Sequence, residues 1–142
     1  MSYLCSRKKE TNRMEYIFEN RERVRDYECD LQGIVNNANY QHYLEHSRHL
    51  FILERGVSFA ELHAEGIDVV VARFKIQYKT PLRPNDEYIC RLRPEKQGVR
   101  YVFHQAIFRA SDNALCARAR VDCAVTMDGR LVAGHPKIDA LL

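Results

Sequence analysis

Apolar residues recur along this chain with two periods, and the change of period divides it. Tyr40, Tyr43, Leu44, Ser47, Leu50, Phe51 and Glu54 follow the i, i+3, i+4, i+7 spacing of one helical face. That row predicts a helix over about 40–55, with His42, Glu45, Arg48 and His49 left for other faces. Gly56 suits the left-handed position beyond its end. Ser58 and Glu61 are spaced as a capping box, which predicts a short second helix over 59–65. From Val69 onward the period falls to two. Val69-Val70-Val71 leads into residues 72–79, where even positions are apolar and odd ones polar, the pattern of a half-buried strand. Tyr88, Cys90 and Leu92 predict another strand. Residues 100–109 predict a third with both faces covered. Leu115, Ala117, Ala119, Val121, Cys123 and Val125 predict a fourth.

Turn signals separate these runs: Pro81 with Pro84 and Asn85-Asp86, Gln97-Gly98, Ser111-Asp112-Asn113 and Asp128-Gly129. Residues 136–142 predict one helical turn. Ahead of the long helix, 16–18 and 21–27 read as extended, with Arg21, Arg23 and Arg25 on one face. The short turns predict that the four later strands pair as an antiparallel meander. Such a sheet needs a cover for its apolar face, and the long helix supplies one. The expectation is a single α+β domain over 15–142, its sheet wrapped around the helix, after a flexible tail over 1–14.

Composition narrows the function classes. A chain of 142 residues predicts one domain. The net charge of +3 falls short of a nucleic-acid binder's basic footprint and is compatible with a polyanionic small molecule. Five cysteines, an odd number without a C-x-x-C pair, predict free thiols in a reducing cytosol. The N-terminal residues lack a signal peptide's apolar segment, and no run approaches membrane-spanning length, so a cytoplasmic protein without a membrane anchor is expected. His42 and His46 have metal-ligand spacing, but the glutamate of zinc hydrolases and a third ligand are missing, so no metal is expected. The same surface or interface role is expected of His49.

Candidate chemistry gathers between the first extended segment and the long helix. Asp30 is followed by Gly33 and by Asn36, Asn37 and Asn39, which are candidate N-caps. A carboxylate beside a helix N-terminus pairs a base or nucleophile with an oxyanion site. Two readings of Asp30 stay open on local chemistry alone: that one, and a turn residue bonding its own backbone. Cys29 reads as a structural thiol. Arg73, Lys75, Lys79, Arg91 and Arg93 read as a solvated sheet face or as a phosphate-binding one.

The run from Tyr27 to Tyr40 resembles the signature of hotdog-fold thioesterases, specifically the 4-hydroxybenzoyl-CoA thioesterase family. The signature has an aspartate, two residues, glycine, an aliphatic pair, a short polar stretch, asparagine and tyrosine. Here these are Asp30, Gly33, Ile34-Val35, Asn36-Asn37-Ala38, Asn39 and Tyr40. The likeness continues at Tyr43, Glu45 and Arg48 and over 76–86, and covers about residues 16–135. It implies a hotdog fold, an antiparallel sheet of five to six strands wrapped around one long central helix. It implies an acyl-CoA thioesterase with Asp30 as nucleophile or general base. Gly33, Val35 and Asn37 would bind the thioester, with the helix cap at Asn39 and Tyr40. Relatives often carry histidine or tyrosine at the position of Asn37, so its role would run through the backbone N–H. Glu28 would be structural, and Glu45 a lesser candidate acid. The likeness further implies a homodimer or homotetramer with sites between subunits, and no cofactor, because coenzyme A is part of the substrate. Rival readings are a non-catalytic acyl-CoA-binding module, an acyl-acyl carrier protein thioesterase, and a dehydratase, whose usual loop histidine is missing.

Overall fold

Strict alternation builds the sheet. In the computed structural model, which describes residues 16–142, β5 (Leu115–Met127) buries Ala117, Ala119, Val121, Cys123 and Val125 on one face. It pairs antiparallel with β4 (Arg100–Arg109), which pairs antiparallel with β3 (Glu87–Gln97). Both faces of β4 are largely covered, as its sequence predicts. The tail expected over 1–14, with Cys5 and Arg7-Lys8-Lys9, lies outside the described residues.

The two outer strands correct the expected four-strand meander. The order is β1–β3–β4–β5–β2, with β1 spanning Phe18–Arg23 and β2 spanning Ile67–Tyr78. β2 therefore lies beside β5, and β1 takes the position next to β3. Residues 79–86 carry the chain across the sheet end, and the turn expected at Pro84 and Asn85-Asp86 closes that crossing, with Asp86 N–H donating to Arg83 O at 3.1 Å. Lys79 N–H donates to Cys116 O at 2.8 Å, holding the start of that crossing to β5. Val24 N–H donates to Asp86 O at 2.8 Å, holding its end beside β1. Half-burial of β2 holds over 74–77, where Phe74 and Ile76 are partly buried and Lys75 and Gln77 exposed, while the apolar entry to this edge strand is open: Val70 is 45% and Val71 50% exposed. Its register against β5 shifts between Val71 and Arg73, the mark of a bulge. A short strand, β6 (Arg130–Val132), returns along β5 through Asp128-Gly129, both at positive φ as a tight hairpin turn requires.

The long helix, α1 (Asn37–Glu54), begins about three residues earlier than its apolar row predicts. Asn36 caps it, its side chain accepting from Ala38 N–H at 2.9 Å. Tyr40, Tyr43 and Leu44 pack with Tyr88, Cys90 and Ile107; Phe51 and Ile52 pack with Leu92, Phe103 and Val121. Leu50 and Glu54 fall outside the buried face, and Arg48, expected on another face, falls inside it. Gly56 closes the helix at φ +84°, and the Ser58–Glu61 capping box opens α2 (Phe59–Ala64). α3 (Pro136–Asp139) is the expected terminal turn.

The extended run expected to reach Tyr27 stops at Arg23. Val24 turns into the core, and Asp26–Glu28 forms a 3₁₀ turn in which the Glu28 carboxylate accepts from Arg25 N–H at 2.7 Å. Arg21 and Arg23 both reach Glu87 across the β1–β3 pair.

Leu44 is 0% exposed where helix meets sheet. Leu44→Ala is expected to lower unfolding stability by about 2–5 kcal/mol, measured by chemical denaturation.

Candidate active site

The candidate carboxylate is carried by a miniature hairpin. Cys29 and Val35 form an isolated antiparallel bridge. Inside it, Asp30 N–H donates to Ile34 O at 2.9 Å, and Gly33 N–H donates to Asp30 O at 3.0 Å. Gly33 holds φ +73°, which is why a glycine stands there. Asp30 Oδ1 accepts from Gln32 N–H at 2.8 Å, so one oxygen does the work of a turn residue. Among the described residues nothing hydrogen-bonds Oδ2, and the side chain faces solvent. Tyr27 and Leu31 near it are highly exposed as well.

The hairpin is bolted to the helix start. Glu28 O accepts from Asn36 N–H at 3.1 Å and from Asn39 Nδ2 at 2.7 Å. Asn39 and Tyr40 therefore lie in the first turn and are not its cap; Asn36 is. Tyr40 is buried, and its hydroxyl accepts from Leu82 N–H at 3.1 Å. Burial raises the pKa of that phenol, so it stays protonated. Leu82 O accepts from Val35 N–H at 2.9 Å.

These bonds separate the three thioester-binding candidates. The N–H of Gly33 is committed to Asp30 and that of Val35 to Leu82. The N–H of Asn37 has no acceptor among the described residues. It sits at the positive end of an 18-residue helix. Sequence reasoning missed Tyr78, whose hydroxyl donates to Asn37 O at 3.3 Å and whose ring centroid lies 5.4 Å from that of Tyr40. Its apolar alternation marked it only as core. Tyr43 stacks on Tyr88 at 4.5 Å, and its buried hydroxyl meets no hydrogen-bond acceptor or donor at bonding distance among the described residues. Burial, with Glu28 nearby, pushes the Tyr43 pKa well up.

Other candidates are dispersed. Glu45, exposed on α1, lies 3.7 Å from His49, and His46 lies 3.2 Å from Glu22. No group of three potential ligands among the described residues could hold a metal ion. No helix among them is long and apolar enough to cross a membrane. Arg91 pairs with Glu19, and Arg93 with Glu95. Lys75, Arg93, Arg118 and Arg120 border a groove of about 780 Å³. Burial raises the thiols of Cys90 to about 12 and of Cys116 and Cys123 to about 11. Cys29 is raised by burial and by Glu28, Asp30 and Asp26, so it is a poor nucleophile.

Residues 24–137 match the model of the thioesterase-like superfamily. Over 109 residues the chain is 30% identical to the chloroplastic acyl-acyl carrier protein thioesterase ATL3 of Arabidopsis thaliana. That match covers 76% of this chain but only 57% of the relative. The crystal structure of a hypothetical protein from Aquifex aeolicus is similar with TM-score 0.83 and 28% identity, covering 89% of this chain and 99% of that one. A 1,4-dihydroxy-2-naphthoyl-CoA thioesterase from Synechocystis shares the fold with TM-score 0.82 at 14% identity, covering 87% and 93%.

Asn36→Ala, which deletes the cap, is expected to cost about 1 kcal/mol of stability in a denaturant titration. In a thiol titration of the native protein, Cys29 is expected to react first among the four described cysteines. At pH 7 a rise of two pKa units leaves Cys116 and Cys123 with roughly a hundredfold less thiolate than a free thiol. Full reaction then requires denaturant, and rapid native labelling of Cys90 would contradict its burial.

Proposed function

Because the chain belongs to the thioesterase-like superfamily, we propose that it hydrolyses an acyl thioester, with acyl-CoA as donor and a free acid and coenzyme A as products. One observation carries this reading: the hairpin bearing Asp30 is tied to a helix start whose first N–H has no acceptor among the described residues. A thioester carbonyl at that N–H would have its oxygen polarised as negative charge develops. As general base, Asp30 takes a proton from water while the C–O bond forms. The C–S bond then breaks, and the thiolate leaves and is protonated. As nucleophile, the same carboxylate attacks the carbonyl and expels the thiolate, which is protonated, leaving a mixed anhydride that water opens to the free acid and the Asp30 carboxylate. Either route needs no redox group or metal, since coenzyme A enters within the substrate.

A homodimer, or a homotetramer built from it, belongs to the proposal. The unpaired edge of β2, with Val70 and Val71 exposed, and the uncovered Tyr27 and Leu31 beside Asp30 support a second copy near the site. The four unpaired described thiols support a reducing, cytoplasmic setting. The similarity to ATL3 favours a second reading, in which acyl carrier protein delivers the same thioester.

Thiol release from a panel of acyl-CoA and acyl-acyl carrier protein donors tests both readings. Wild type is expected to turn over at least one acyl-CoA, and Asp30→Asn to lose about 10²–10⁴-fold in kcat. Binding of acyl-CoA without release from any donor would leave a binding module. Full activity in Asp30→Asn would move the chemistry to Glu45.

A further inference from the structure

Arg48 is the one charged residue that the described fold buries, at 7% exposure. Its Nη1 donates to Gln105 Oε1 at 2.9 Å, and Gln105 Nε2 in turn donates to Leu44 O at 3.0 Å. No carboxylate of the described residues lies within 4.0 Å of its guanidinium. A buried cation held by one neutral amide is costly unless it meets a further acceptor.

Arg48 borders a cavity of about 200 Å³ between α1 and β2, together with Glu45, His49, Asp68, Val69 and Val71. The two carboxylates in its wall have imidazole partners: Glu45 lies 3.7 Å from His49, and Asp68 lies 2.6 Å from His63. Glu45 acts on Arg48 from the same wall, but no carboxylate closes on the guanidinium, whose hydrogen-bond partner among the described residues is the neutral Gln105. The cavity is also related to the candidate active site. Asn37, Gln41, Glu45 and Arg48 succeed one another at three- and four-residue intervals along one side of α1. Tyr78 of β2 meets Asn37 at one end, while Val69 and Val71 face the Glu45–Arg48 turn across the cavity at the other. Helix and edge strand thus run side by side, and a helical rise of 1.5 Å per residue separates Asn37 from Arg48 by about 16 Å.

We propose that this cavity receives the far end of the acyl group, and that the preferred substrate carries an oxygen there, as hydroxyl or carboxylate, which the Arg48 guanidinium binds. The inference rests on the thioesterase reading and adds a substrate class to it. A carboxylate would take the charge-assisted, two-pronged bond that a guanidinium favours, and a hydroxyl would take a single bond. An unsubstituted chain would leave the buried charge without an acceptor, and that difference is the basis of discrimination.

The test compares three CoA thioesters with matched chains long enough to span about 16 Å from the carbonyl: unsubstituted, ω-hydroxy and ω-carboxy. The wild type is expected to hydrolyse at least one oxygenated chain with kcat/KM about tenfold or more above the unsubstituted one. Arg48→Met, checked for folding by its thermal transition, is expected to bring the three within about twofold. Should that variant not fold, the wild-type ranking decides alone. Equal or better hydrolysis of the unsubstituted chain overturns the proposal, as does an oxygenated preference that survives in folded Arg48→Met. No thiol release from any of the three, or from the wider donor panel, removes the hydrolase reading and this inference with it.

Discussion

The backbone of Leu82 is the pin on which the candidate site hangs. Its carbonyl accepts from Val35 in the Asp30 hairpin, and its N–H donates to the Tyr40 hydroxyl in the first turn of α1. The residue is fully buried, so water does not compete for either bond. Hairpin and helix are therefore referenced to the same residue of the 79–86 crossing. That crossing is in turn tied to β5 at one end and β1 at the other. Glu28 O, taking bonds from Asn36 and Asn39, holds the hairpin to the helix a second time. Two independent ties make the separation of carboxylate and helix terminus a property of the whole sheet. A site that works by electrostatic preorganisation needs that kind of support.

The same bonds explain why one donor stays available. Backbone N–H groups in a folded chain are almost always paired, and those of Gly33 and Val35 are consumed by the hairpin and by Leu82. Asn37 is spared because it opens the helix, where four N–H groups have no intrahelical acceptor. Asn36 serves Ala38, the Asn36 carbonyl serves Asn39, and Asn37 is left over. The free donor is thus a consequence of where the helix begins, and Asn36 as cap decides that.

Much of this was legible in the residues. β4 and β5 read directly, because alternation reports which side chains face the core. Ser58–Glu61, Gly56 and Asp128-Gly129 read directly too, because their local geometry needs those residue types. The lateral order of strands was not legible. Period two says which face a residue takes and nothing about which strand lies alongside, so the positions of β1 and β2 emerged only from the fold. The commitment of Val35 depends on Leu82, far along the chain, and no local pattern encodes it. The apolar row leaves Arg48 for another face, although its place four residues from both Leu44 and Ile52 puts it on the buried stripe. Asp30 was readable as a turn residue and as a candidate base, and its two oxygens divide along those lines, one bonded to Gln32 and the other unbonded within the described chain.

The bulge in β2 has an effect out of proportion to its size. Before it, the odd residues Val69 and Val71 stand opposite Val125 and Cys123, on the helix side of the sheet. After it, the even residues Phe74, Ile76 and Tyr78 stand opposite Val121, Ala119 and Ala117, on that same side. The extra residue works as a phase correction between two apolar runs that are out of step in the sequence. Without it, either the valines or the aromatic stretch would point away from α1, and the strand would offer the helix only half a wall. One apolar face of the strand, from Tyr78 to Val69, is therefore spelled in two reading frames joined at Ala72.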